Sequence, residues 1–280
     1  MALITAGCSG AHGNGGRAPA ATGDPTSVAP ALTAAESRAA LAGYVDRVDR
    51  AVTGGDATAW ANSTGGALRG VVAAEAVLAG GKPPADATLT LTNPAMYVPR
   101  LTGPLRWFAA SALQQQYGKK QEVLVVFAQA KPGDPWLPVH RLPFSHSPPE
   151  VATDAQGYAM AATDASGPAA LPAAHAAYLN GQADSVVPDA YSRTRPPGRY
   201  SAAGDPIYAL RTKDGGDLVW YALTQTGSYA QNALPQQALT YLHGKARAAT
   251  VTWTWQVIAY IPPHGLPTIL GEQAALTQVR

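Results

Sequence analysis

The chain has 280 residues, with 20 Lys and Arg against 18 Asp and Glu and a net charge of +2. Only 14% of residues are charged, against roughly 25% in an average globular protein, and no basic footprint forms, which excludes nucleic acid as a partner. The length suggests about two domains, the 46% hydrophobic share can fill their cores, and no apolar run reaches the roughly 18 residues of a membrane-spanning helix.

The chain opens MALITAGCSG, and Cys8 is its single cysteine. Ile4 to Gly10 resembles a bacterial lipobox: an aliphatic residue, then small residues, then Cys. The thiol accepts a diacylglycerol and a peptidase cuts in front of it, so Ala6 and Gly7 must be small. Thr5 departs from the pattern, which usually has an aliphatic residue there. Residues 1–7 lack a basic start and a full apolar run, and are read as the remnant of a signal peptide. Extracytoplasmic proteins pair their cysteines or avoid them, and this one avoids them. Residues 8–32 are the lipobox Cys and a tether of small and polar residues that cannot bury a core. Acylation of Cys8 makes membrane lipid the first expected partner, at about 0.8 kcal/mol per buried CH₂. The expected location is extracytoplasmic, anchored to the cell membrane by lipid.

Thr33 and Glu36 have capping-box spacing. Behind them Leu41, Tyr44, Val45, Val48 and Val52 form one apolar stripe, ended by Gly54 and Gly55. A second helix is expected over 68–78. Strands are expected over 88–92, 96–101, 105–113, 122–130 and 136–144, the fourth (EVLVVFAQA) apolar on both faces and therefore central. These elements make a first α+β module over 33–145. Residues 146–167 read as a linker, with a short strand at 158–161. A second module, 168–280, begins with a helix over 168–180. Strands follow at 205–211, 217–226 and 250–260, then a short helix at 235–242 within an insertion, and a final strand pair between Thr268 and Val279.

The halves echo each other. Tyr97-x-x-Arg100 recurs as Tyr208-x-x-Arg211, LRWFA (105–109) as LVWYA (218–222), and FAQAKPGDPWLP (127–138) as VIAYIPPHGLP (257–267). The expected fold class is α+β, with two tandem modules from an internal duplication, each a helix packed on a curved antiparallel sheet. That arrangement resembles NTF2-like and cystatin-like proteins. The lipobox, the tether, the RWFAA and VLVVF strands and the Ala-, Arg- and Pro-rich composition resemble an uncharacterised family of actinobacterial predicted lipoproteins. The resemblance implies fold and location and carries no activity.

No GxSxG, HExxH, Walker A or GxGxxG motif occurs, and one Cys excludes CxxC zinc patterns. No catalytic residue, metal ligand or cofactor is assigned. His140 and His146 bracket LPF and read as surface histidines rather than metal ligands, and His175 as a packed helix residue. Glu122, Asp217 and Glu272 read as solvated strand-end charges, which leaves an NTF2-like enzyme without an inward carboxylate. In VTWTWQV (251–257) the period of two puts Trp253 and Trp255 on one face with two valines. Core is the first reading; a pocket lined by Trp220, Trp253 and Trp255 is the alternative. The expected function is non-catalytic binding of an envelope protein or an apolar small molecule. A structural subunit of envelope assembly is the alternative.

Overall fold

A computed structural model describes residues 30–144, 148–162, 166–188 and 198–280. Helix α1 (Ala34–Thr53) starts where the capping box predicts. Thr33 accepts from the Glu36 N–H at 3.2 Å, and the Glu36 carboxylate accepts from the Thr33 N–H at 2.6 Å. Helix α2 (Ala57–Asn62) was not legible; Asp56 caps it, accepting from the Ala59 N–H at 2.8 Å. Helix α3 (Gly66–Leu78) follows at once.

The first sheet is an antiparallel meander of β1 (Thr90–Tyr97), β2 (Arg106–Gln116), β3 (Lys119–Gln129) and β4 (Leu137–Pro143). Strand β3 is interior, as its two apolar faces require. One bulged edge strand, β1, covers the end of the first expected strand and the start of the second: the register shifts between Thr92 and Ala95, where Asn93 has φ 52 and Pro94 lacks a donor. Tyr117 (φ 54) and Gly118 (φ 66) close the β2–β3 hairpin with the two positive φ values of a tight two-residue turn.

The second half holds α4 (Ser166–Leu179), β5 (Arg199–Ala202), β6 (Tyr208–Arg211), β7 (Asp217–Tyr229), a 3-10 turn (Gln231–Ala233), α5 (Gln236–Tyr241), β8 (Ala249–Ile261) and β9 (Thr268–Val279). Strands β7, β8 and β9 pair antiparallel in sequence, and β5 and β6 share the outer edge of β7. The expected terminal strand pair is one twelve-residue strand, β9. Gly271, inside this strand, admits close approach, since a Cβ there would lie 2.6 Å from the Pro143 carbonyl oxygen.

Strand parity sorts the side chains into layers. Phe108, Ala110, Val123, Val125 and Phe127 of the first sheet pack under α1–α3. The alternate residues Trp107, Leu124, Val126 and Leu142 meet Tyr208, Leu218, Trp220 and Ile258 of the second sheet. Val219, Tyr221, Leu223 and Val257, on the far face of the second sheet, pack with Leu171, Tyr178 and Leu179 of α4. The order is helices, sheet, sheet, helices, with α3 reaching across β4 to β8 and β9. The β2–β3 and β7–β8 hairpins set the echoed segments in one register: Trp107 stands opposite Ala128 and Trp220 opposite Ile258.

The segment expected as a linker is described over 148–162. Val151 bridges Thr212, Ala161 bridges Leu210 and Ala159 bridges Pro99, with Val151 and Ala159 in the core between the sheets. Pro30 to Leu32, in the expected tether, are docked: Pro30 bridges Arg100, and Leu32 joins the first core.

Candidate functional site

Tyr221, Val257 and Glu272 stand side by side across β7, β8 and β9. Paired residues share a face, so all three point toward α4. Strands lie about 4.8 Å apart, which separates the ends of this row by roughly 10 Å. His175 of α4 spans it. Its Nδ1 lies 2.8 Å from the Tyr221 hydroxyl and its Nε2 lies 3.4 Å from Glu272 Oε1. The imidazole is fully buried and the Glu272 side chain is 3% exposed.

Glu272 is therefore not the solvated strand-end charge that its sequence context suggested. Reading β9 as two strands lost the parity that directs Glu272 inward beside Val257. Asp217 is corrected likewise: it opens β7 opposite Arg211 at the end of β6, and their side chains pair at 3.2 Å in a largely buried site. Glu122 is exposed, as expected. A Tyr–His–carboxylate row can hold and pass protons, but a reacting substrate must touch it. Here the row is buried beneath α4, and its two contacts tie α4 to the sheet.

His140 also departs from expectation, since it is 1% exposed and not on the surface. Parity along β4 puts His140 and Leu142 on the face toward the second sheet. The ring sits edge-on to Tyr208, centroids 5.7 Å apart at 74°. Burial pushes its pKa down to about 3, so the ring is neutral. His146 lies outside the described residues. Among the described residues no group of three His, Cys, Asp or Glu is placed to hold a metal ion.

The three expected pocket tryptophans are not brought together. Trp220 is fully buried between the sheets, because β7 parity aims it at the shared core. Trp253 and Trp255 lie on the opposite face and are half-buried. Trp253 packs on Tyr229 at 5.9 Å, beside α5. Trp255 packs on Tyr200 at 5.9 Å and donates from Nε1 to Gln225 Oε1 at 2.9 Å. Cys8 lies outside the described residues.

A groove opens instead where the two sheets meet the start of α3. Its volume is about 360 Å³, and Pro104, Leu105, Pro135, Leu137, Pro206 and Tyr208 give it a mostly apolar wall. Gly65 and Gly66 form one side, close against Val139; at Gly66 (φ 50) a Cβ would meet Val139 at 3.2 Å and narrow that side. Gln129 and Asp134 supply polar groups at the edge, fixed by a 2.7 Å bond from Gln129 Nε2 to the Asp134 carbonyl. The sequence carries little sign of this site, because its residues come from four separate loops and strand ends.

No helix of the described residues is long and apolar enough to cross a membrane. No solved structure matches the chain, so the NTF2-like and cystatin-like likeness has no counterpart there. An uncharacterized lipoprotein of Streptomyces coelicolor is 27% identical over 99% of this chain and 91% of its own length. An uncharacterized lipoprotein of Streptomyces avermitilis is 26% identical over 79% of this chain and 71% of its own length. The location of such lipoproteins, outside the cytoplasm and anchored to the membrane, is the one expected for this chain, and it is this chain's location. A domain of unknown function, DUF8094, matches residues 28–196 and 188–280, and the chain belongs to that family of uncharacterised actinobacterial lipoproteins.

Proposed function

We propose that this protein is a non-catalytic binding protein, held to the outer face of the membrane through acylated Cys8, that takes an apolar small molecule in the groove between its sheets. The groove carries this reading. Its volume of about 360 Å³ falls in the range of small-molecule sites, roughly 300–1,000 Å³, and apolar walls with a few fixed polar groups are typical of them. The titratable groups of the core support a binding role over a catalytic one, since His140 is buried and neutral and His175 is buried beneath α4.

Two measurements test the reading. An uncharged solvatochromic dye is expected to bind the full chain saturably and to lose that binding with Leu105→Asp, because the charge enters the groove wall. Equal binding by the variant would remove the groove from the proposal. For the anchor, Cys8→Ala in a chain carrying a complete leader is expected to move the protein from the detergent phase to the aqueous phase. Retention in detergent would remove Cys8 as the acylated residue.

A further inference from the structure

A second, polar pocket of about 190 Å³ lies away from the groove, where the ends of the first sheet meet α3 and β9. Glu75 of α3, Gln114 and Gln116 of β2, Gln121 of β3, Arg141 of β4 and Gln273 of β9 line it. It needs both halves of the chain, since Gln273 belongs to the second sheet. Parity builds it: Arg141 stands opposite Val125 on the helix-facing side of the first sheet, beside the row that ends in Gln114 and Gln116.

Arg141 is 8% exposed. Its backbone N–H donates to Gln256 Oε1 at 3.1 Å, and one guanidinium nitrogen donates to the Tyr44 hydroxyl at 2.8 Å. None of the ion pairs among the described residues includes it. The carboxylate in the lining, Glu75, instead accepts from the Tyr117 hydroxyl at 2.7 Å. A guanidinium carries five N–H donors in a planar fork, and burying it without an acidic partner is costly. Burial works against its charge, but Tyr44, Glu75 and Tyr117 outweigh burial and keep the group protonated.

An unpartnered acceptor lies in the same wall. Gln114 is 5% exposed, and its Oε1 has no hydrogen-bond partner among the described residues. The pocket therefore offers a cationic fork for an oxyanion and, beside it, an acceptor for a hydroxyl or N–H. Arg141 and Lys119 against Glu75 leave one formal positive charge in the lining, which matches a monoanion better than a phosphate dianion. At about 30 Å³ per water-sized group, the volume takes roughly six such groups.

We propose that this pocket binds a small hydroxy- or amido-carboxylate, its carboxylate paired with Arg141 and its donor group on Gln114 Oε1. Bidentate carboxylate recognition is what the guanidinium fork does best. The site is independent of the apolar groove, and either can fail without the other.

Calorimetry on the full chain tests it, with lactate, acetate and inorganic phosphate as probes against chloride at matched ionic strength. Saturable binding of lactate, tighter than acetate or phosphate, is expected. Lys119→Glu with Gln121→Glu reverses the charge at the mouth on exposed or half-exposed positions, so folding is kept. It is expected to weaken lactate roughly tenfold or more. Gln114→Leu is expected to bring lactate down to the affinity of acetate, a loss that general destabilisation would not make selective. No saturable lactate binding to the unmodified chain overturns the proposal. So does undiminished binding by the mouth variant, or tighter binding of phosphate.

Discussion

His140 carries a neutral imidazole into the core between the sheets, and pH acts on it in one direction. Its ordinary pKa of 6.5 falls to about 3 in the folded chain through burial. Between those values the unfolded chain binds the extra proton, so stability rises with pH across that window and is lost as pH falls through it. Each unit is worth about 1.4 kcal/mol. Between pH 6.5 and 4.5 the protein is expected to lose roughly 2–3 kcal/mol through this residue. Urea unfolding of His140→Leu is expected to show a flatter dependence over that range. The same slope in both chains would assign the acid sensitivity elsewhere. The carboxylates of Asp154 and Asp214 act at lower pH: hydrogen bonds from Arg100 and Thr212, respectively, hold them below the usual range, and their contribution is lost only as pH falls below about 4. Position in the chain could not reveal His140's burial; strand parity in β4 could have, had a second sheet been known to cover that face.

Elements join at two kinds of contact, legible to different degrees. The capping box of α1 is local, and Thr33→Ala is expected to cost about 1 kcal/mol of stability in chemical denaturation. The contact of β9 with β4 is not local. Gly271 lies against the Pro143 carbonyl, so the 2.6 Å approach of any Cβ must part the two strands. Gly271→Ala is expected to destabilise by about 1–3 kcal/mol and to lower protection of the Arg141 N–H, which bonds Gln256, in hydrogen exchange. Unchanged stability would mean that β9 shifts freely on β4. The strands themselves, though not each of their ends, were legible where apolar runs were strong, in β2, β3, β7 and β8. Helix α2 and strand β5, six and four residues long, carry too little periodicity to be read.

At the scale of the whole molecule, the two halves do not behave as beads on a linker. Trp107 packs edge-on to Tyr208 across the halves, with centroids 5.3 Å apart, and Trp220 is buried in the same core. Fluorescence of these tryptophans and far-UV dichroism are therefore expected to report one cooperative transition in urea. Two resolved transitions would show that the sheets fold separately. Trp220→Ala, which empties part of the shared core, is expected to cost about 3–5 kcal/mol while keeping the transition single.

By itself the sequence determined the features that depend on neighbours in the chain. These are the capped helix, the apolar strands with their echoed Trp-aromatic-Ala segments, the α+β class, and the Ile4–Gly10 motif that pointed to a lipoprotein. Tertiary structure alone decided what faces what. The α4 helix lies over one face of the second sheet, which makes Glu272 a partner of His175 instead of a surface charge. The first sheet lies on the other face, which encloses Trp220 and His140. Both the apolar groove and the Arg141 pocket form at the seam between the halves. The physical reason is that side-chain period tells which residues share a face of a strand, and carries no information about what will cover that face.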